Sequence, residues 1–428
     1  MEEIHAPVHD NSPSIEHILR PISYTSWCMG VGIAHPQKCS KYVTIVIRII
    51  HLMISTFYLI MFIHEYVMYR DIRLSVISIT KSIHVINSII YFITVYYYFY
   101  HGIRQYNWSE LMDKIKELDR KIRKETHIND RPVKIMEAVA ILMTFVCCPL
   151  IPIVIHLYYF MYYRIYFTHP LTPWLFYYMM ARSLINSFFF DTVVYVLYYR
   201  YQTVNKMLGH LDKLSDTPLI ALKIRRIREL HNDICDLIIK MNNTYGLYLL
   251  FCSANCFFLV TTKLYDAYLF MGQKRYDTTL LSYIDSTIYT MQFGLICWIC
   301  TLARQEFDKT KIIMCAIALK YQSMKFDKRN DTRNQSNLEV RPPLEGADNE
   351  QNFDRSNSHD WNYVVMENLL GKFMAQDNVN NEINGFLIQL QHRRVSFMAC
   401  EFFEMNNNLF CSFVGVIFTF LMIFIQFA

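Results

Sequence analysis

The sequence predicts an all-α, seven-transmembrane helical membrane protein with a cytosolic amino terminus and an extracellular carboxyl terminus. Three observations carry that expectation. The 428 residues are 53% apolar and 15% aromatic, too greasy for a soluble protein of ordinary charge content. A mean hydropathy of only +0.14 then says that the apolar residues are segregated, because long basic stretches dilute them. Those basic stretches fall on alternate connections between apolar segments, which orients the spans.

Residues 1–41 open MEEIHAPVHDNSPSIEHILRP, acidic and polar, with no basic n-region or apolar core. They are read as a cytosolic segment and not as a cleaved signal peptide. Residues 42–303 hold six apolar stretches, near 42–68, 74–100, 133–160, 173–199, 245–270 and 279–303, and a seventh occupies 407–428. Each can cross a hydrocarbon core of roughly 30 Å, and several exceed that need, which predicts tilt or continuation into water.

Between stretches two and three lie Arg104, Lys114, Lys116, Arg120, Lys121, Arg123, Lys124 and Arg131. Between four and five lie Arg200, Lys206, Lys213, Lys223, Arg225, Arg226, Arg228 and Lys240. The opposite connections hold only Arg70 and Arg73, Arg164, then Lys274 and Arg275. The bias puts the amino terminus inside and, after seven spans, the carboxyl terminus outside. That is the reverse of a G-protein-coupled receptor. The sequons at Asn107, Asn242, Asn330 and Asn334 all fall on the cytosolic side, so none is expected to carry glycan.

The cytosolic connections are structured in part. Trp108–Lys124 sets Leu111, Ile115, Leu118 and Ile122 on one helical face behind a Ser109 cap, and Leu219–Met241 repeats the pattern. Residues 304–381 form a long loop whose stretch 326–360, rich in Asn, Asp, Arg and Pro, reads as a disordered linker. Residues 382–406 read as an amphipathic helix below the membrane that leads into the last span.

Charged groups inside a span cost about 2.5–3.5 kcal/mol each, so those present need partners or water. The outward halves hold Lys81 and His84, His156, Arg182 and Asn186, then Asp285, Tyr289 and Gln292. Lys81, His84 and Ser88 share one stripe, as do Arg182 with Asn186 and Asp285 with Tyr289 and Gln292. Several polar stripes at one depth among many Tyr and Phe predict a shared ligand pocket opening outward. The competing reading is interhelical ion pairing, Asp285 with Arg182 or Lys81. Lys263 and Asp266, near a span end, would then snorkel, and Asp191 would serve as a structural partner.

The exclusions are direct. No GxGxxG or GxxxxGK[ST] loop occurs, and no Ser/His/Asp spacing, so neither nucleotide chemistry nor an enzyme is expected. Cys252/Cys256 and Cys297/Cys300 sit in apolar helices without histidine and read as small hydrophobes, not metal ligands.

In the last span, Asn408, Ser412, Gly415, Thr419, Met422 and Gln426 fall on one stripe against Leu, Ile, Val and Phe. The run Thr419-Phe420-Leu421-Met422-Ile423-Phe424-Ile425-Gln426-Phe427 resembles the C-terminal signature of insect gustatory receptors: Thr-Tyr, five apolar residues, Gln-Phe. Phe402-Phe403, Asn406, Leu409 and Gly415 fit as well, and Phe420 departs from the family's Tyr only by a hydroxyl. The resemblance implies a ligand-gated, non-selective cation channel, a tetramer in which the seventh helix lines the pore, in the plasma membrane of chemosensory neurons. It implies that 382–406 is the subunit anchor and that the ligand binds among spans two to six. Gln426, Phe427 and Ile423 would form the outer constriction, with Thr419 and Gly415 further along the wall; otherwise Phe427 is only an interfacial aromatic anchor.

The implied partners are a small-molecule tastant, permeant cations, membrane lipid and further subunits, either a homotetramer or an assembly with other gustatory receptors. No cofactor, metal or nucleic acid is implied. Thirty-one Tyr and thirty Phe, with few Asn, Gln or Asp in the outward spans, favour a bitter or plant secondary compound over a sugar. A sugar-gated channel of the same family is the alternative, and a secondary transporter the alternative from another class. A transporter needs internal repeats and broken helices, and only Pro149 and Pro152 hint at a break.

Overall fold

The computed structural model describes residues 15–31, 39–68, 75–104, 107–126, 128–163, 171–211, 217–335, 377–393 and 395–426. Contacts divide the chain into two units, Met1–Arg200 with Asp236–Arg304 and Ser396–Ala428, and Tyr201–Cys235 with Gln305–Val395.

The first unit begins with α1 (Ile15–Ile18) and α2 (Arg20–Cys28). The N-terminal segment is thus no free polar tail over this stretch. Ile15, Ile18, Leu19 and Ile22 are buried, Glu16 pairs with Lys116 at 2.5 Å, and the Ile22 N–H donates to Glu137 Oε1 at 2.9 Å. A carboxylate from elsewhere in the fold so takes one of the orphan donors in the first turn of α2.

The apolar stretches become α3 (Lys41–Met68), α4 (Ser75–Arg104), α6 (Arg131–Leu142) continued by α7 (Cys148–Tyr163), α8 (Leu171–Gly209), α9 (Thr217–Gly272), α10 (Tyr276–Gln335) and α12 (Asn407–Gln426). Among the described residues, segments of α3, α8, α9, α10 and α12 are long and apolar enough to span a membrane by themselves. At 56 and 60 residues, α9 and α10 run about 84 and 90 Å, far longer than the roughly 30 Å a span needs. Between α6 and α7 the helix takes a π-turn at Met143–Cys147, ending two residues ahead of Pro149. Proline cannot donate to the carbonyl four residues back, and one wide turn absorbs that missing bond without ending the span.

Helix α5 (Asn107–Arg123) buries Leu111, Ile115, Leu118 and Ile122, the face its spacing predicts, although it starts two residues ahead of Ser109. Its outer face carries Glu110–Lys114 and Glu117–Lys121 pairs with the acid first, the favourable order along a helix. In the C-terminal third of α8 an ion cluster ties the helix to α5 and to the start of α6. Arg200, 1% exposed, meets Asp119 and Asp130, while Arg123 Nε donates to Asp119 Oδ2 at 2.7 Å and its Nη2 reaches Asp130.

Two expected boundaries move. Residues 326–335 of the expected linker continue α10, and the remainder of 326–360 lies outside the described residues. The expected anchor helix 382–406 is instead α11 (377–392) followed by a short antiparallel pair, β1 (Met398–Ala399) with β2 (Phe403–Glu404). At its turn Cys400 and Glu401 both take positive φ, +49° and +63°, an arrangement that costs non-glycine residues on the order of 1 kcal/mol each. The hairpin lies against α9: Asn242 accepts from the Met398 N–H and donates to Ser396 O, and a Cβ on Gly246 would come within 3.0 Å of the Cys400 nitrogen. The Asn242 side-chain amide is therefore committed to holding the hairpin on α9.

The second unit is built on His231, fully buried and stacked on Phe307 at 5.3 Å between ring centroids, with Phe386 and Tyr201 edge-on. Gln389 Nε2 donates to its Nδ1 at 3.2 Å. This unit lies wholly outside the apolar stretches 173–199, 245–270 and 279–303. Burial, and then the positive charges of Arg393 and Lys311, lower the His231 pKa to about 3. An unfolded histidine titrates near 6.5, so the unfolded chain binds the extra proton between these values. Stability is then full above pH 6.5 and is lost as pH falls toward 3, by about 2 kcal/mol at pH 5. The melting temperature of the purified protein should drop between pH 7.5 and 5, and His231→Gln should flatten that drop. An equal slope in the variant would remove His231 as the cause.

Candidate functional site

The candidate residues lie in the first unit. Arg182 of α8 is 6% exposed; its Nη2 donates to Gly30 O at 2.9 Å and its Nη1 to Ser55 Oγ at 3.3 Å. With Asn186, one turn further along α8, it lines a cavity of about 40 Å³ shared with Tyr91, Asn255, Phe251 and Val31. Asn255 Nδ2 donates to the Tyr91 hydroxyl at 3.2 Å, and Tyr91 meets the hydroxyl of Tyr289 at 3.1 Å. The Asn255 Oδ1 has no hydrogen-bond partner among the described residues.

The stripes read from the sequence are thus arranged in two layers. Arg182 and Asn186 face the cavity. Tyr289 stands behind Tyr91, and Gln292 stands behind α8, its Nε2 donating to Ser183 Oγ at 3.1 Å and Ser187 Oγ at 2.5 Å. Asp285 is 1% exposed and its Oδ2 meets Lys263 Nζ at 3.2 Å, not the expected Arg182. Lys263 does not simply snorkel, since its ammonium also sits 5.0 Å over the Phe176 ring. Asp191, expected to be a structural partner, is fully buried with neither carboxylate oxygen hydrogen-bonded among the described residues. The side chains of Lys81, His84 and His156 lie outside the described residues.

The Asp285–Lys263 pair sets an expectation. Removing one member of a buried pair strands the other charge. Asp285→Ala should therefore lower surface level, and Asp285→Ala with Lys263→Ala should restore part of it. A normal surface level with a shifted agonist concentration dependence would instead put Asp285 within reach of a ligand.

The second candidate element is α12. Asn406 caps it, its Oδ1 accepting from the Leu409 N–H at 2.9 Å. Its aromatic face packs on its own subunit: Phe413 against Phe293 at 4.4 Å, Phe420 against Phe257 at 5.5 Å, and Phe424 against Tyr265 at 5.5 Å. Ser412, Gly415, Thr419, Met422, Ile423 and Gln426 are left exposed. Phe427 lies outside the described residues.

Sequence reasoning missed Tyr91, Asn255 and the α2 end. Tyr91 is one tyrosine among thirty-one, and nothing in Gly30-Val31 marks it as part of a cavity. Asn255, a lone amide between two cysteines in an apolar run, was the visible signal. A further hollow of about 400 Å³ beside the hairpin, lined by Tyr97, Asn243 and Glu401, shares none of the predicted residues.

A family model described as 7tm chemosensory receptor matches residues 19–329 and 366–428. No curated protein matches the sequence. Among solved structures the chain resembles the insect olfactory receptor OR5 from Machilis hrabei, with a TM-score of 0.55 at 10% identity over 97% of this chain and 99% of that one. The same receptor in complex with eugenol gives a TM-score of 0.53 at 10% identity, over 96% and 99%. At that identity the likeness concerns the fold.

Proposed function

Because the chain belongs to the 7tm chemosensory receptor family, we propose that it is a gustatory receptor: a ligand-gated, non-selective cation channel opened by a small-molecule tastant. The observation that carries this reading is the division of α12. One face packs on the subunit's own aromatic residues through Phe413 and Phe424, while the stripe from Ser412 to Gln426 is exposed together with the apolar Val416 and Phe418. An apolar span with a small and polar stripe needs either a neighbour or water along it. Four copies around an axis supply both, the stripes forming the wall of a water-filled pore.

The Thr419-Phe420…Gln426-Phe427 signature favours the gustatory over the olfactory branch. The alternate basic connections favour a cytosolic amino terminus, in the plasma membrane of a chemosensory neuron. The cavity at Arg182 and Asn186 is the ligand site in this reading. Ile90, Val95, Met179 and Phe251 among its walls favour a partly apolar plant compound over a sugar, which would need many hydrogen-bonding groups.

The test is expression of this chain alone in cells, with calcium imaging against a panel of plant alkaloids, phenolics and sugars, followed by patch clamp. Single-channel cation currents evoked by a plant compound are expected. Responses to sugars alone would move the assignment to a sugar receptor, and substrate flux without unitary currents would move it to a transporter.

A further inference from the structure

We propose that the end of α2, Cys28–Val31, is a displaceable wall of the cavity, and that a ligand entering there replaces the Gly30 carbonyl on Arg182 with an acceptor oxygen of its own. This rests on reading the cavity as the ligand site.

Size forces the question. A cavity of about 40 Å³ holds a few water molecules, whereas sites for small organic ligands run to several hundred Å³. Some wall must move. Every lining side chain except Val31 comes from α4, α8 or α9. Those helices are interlocked around the cavity: Ser187 of α8 meets the Tyr248 hydroxyl at 2.5 Å, Phe190 packs on Tyr245 at 5.2 Å, and Asn255 of α9 donates to Tyr91 of α4.

The α2 wall is held differently. It is a nine-residue helix closed by a Schellman turn, with the Gly30 N–H on Trp27 O at 3.0 Å and the Val31 N–H on Ser26 O at 2.9 Å. Gly30 has φ +66°, and its Cβ, were there one, would fall 2.0 Å from His51 Cδ2. The end is clamped through its carbonyls: Arg182 donates to Gly30 O, and His51 Nε2 to Cys28 O at 2.9 Å. A cation at the negative end of a helix is a favourable clamp. It is also exchangeable, because Arg182 can donate to any acceptor oxygen, while leaving a buried guanidinium without one is costly. A ketone, ester, ether or carboxylate meets that requirement and a pure hydrocarbon does not.

The test needs no channel response, so its failure is separable from failure of the receptor reading. Cys252 lines the cavity and is 5% exposed, and Cys297 and Cys300 are buried on α10. In the purified full-length protein, N-ethylmaleimide modification is followed at each cysteine by peptide mass spectrometry. Gly30→Ala, which cannot keep the tight αL turn, should speed Cys252 modification about tenfold, with Cys297 and Cys300 still protected. Val31→Ala, which only trims the wall, should give a smaller rise. Unchanged Cys252 rates in both variants would overturn the proposal. If Gly30→Ala exposes all three cysteines, Val31→Ala decides by the same criterion. Cyclohexanone should then slow Cys252 modification in Gly30→Ala more than methylcyclohexane does. Equal protection would overturn the exchange at Arg182.

Discussion

Replacing Arg200 with leucine should destabilise the folded protein by about 3–5 kcal/mol and clear it from the cell surface. Arg200 is 1% exposed and neutralises two carboxylates brought from different places, Asp119 on α5 and Asp130 ahead of α6. Arg123 makes the second pair of contacts to the same two acids. Two guanidinium groups against two carboxylates leave the cluster neutral, which is what makes its burial tolerable. Taking one cation away leaves a net negative charge where water is scarce, a larger penalty than the pair's own attraction. Asp130 has no spare role to fall back on, since its carboxylate makes no capping bond to α6. The double variant Arg200→Leu with Asp119→Leu removes one charge of each sign and should recover much of the loss. Thermal melts followed by size-exclusion chromatography, with surface labelling in cells, report both. A single variant that melts with the wild type would mean that water reaches the cluster.

How much of this was legible varies with the kind of interaction. The α5 face and the Ile220, Ile224, Ile227 and Leu237 face of α9 could be read because burial follows the 3.6-residue period, and all of these residues are buried. The long spans could be read because the bilayer dictates their length. Asp285 was visible as a charge needing a partner, but its partner was not. Arg182 and Lys81 shared its depth while Lys263 read as nearer a span end, and it is the packing of α9 on α10 that brings the Lys263 ammonium to it. The π-turn left a trace in Pro149, which signals a break without telling whether a helix ends there or widens by a turn. The α2 wall left none, because Gly30 acts through its φ and its carbonyl, and neither is written in the side-chain pattern. In the anchor, the alternation of buried Val395, Phe397 and Ala399 has the two-residue period of extended chain, a trace hidden in the sequence by the apolar residues around it.

The α12 end carries the largest functional expectation. Gln426 is the last described residue of the uncovered stripe, with Ile423 one turn before it and 40% exposed, while Phe424 is turned to Tyr265 of its own subunit. In the tetrameric channel proposed above, the resemblance implies that four Ile423 side chains and four Gln426 amides approach the axis together and that Phe427 contributes to the same constriction. A narrow ring of apolar side chains blocks ions by losing its water, and a ring of neutral amides can solvate a passing cation without a fixed charge. Gln426→Glu replaces those amides with up to four negative charges. Attraction doubles for a doubly charged ion, so calcium permeability relative to sodium should rise about tenfold, read as a shift in reversal potential under bi-ionic conditions. Phe427→Ala should widen the apolar ring and produce agonist-independent current, with Thr419 and Gly415, deeper on the wall, much less sensitive to conservative change. The competing role for Phe427 is an aromatic anchor in the lipid interface, which predicts a lower surface level and no basal current. If both variants keep wild-type reversal potentials and stay silent without agonist, this end of α12 does not form the gate.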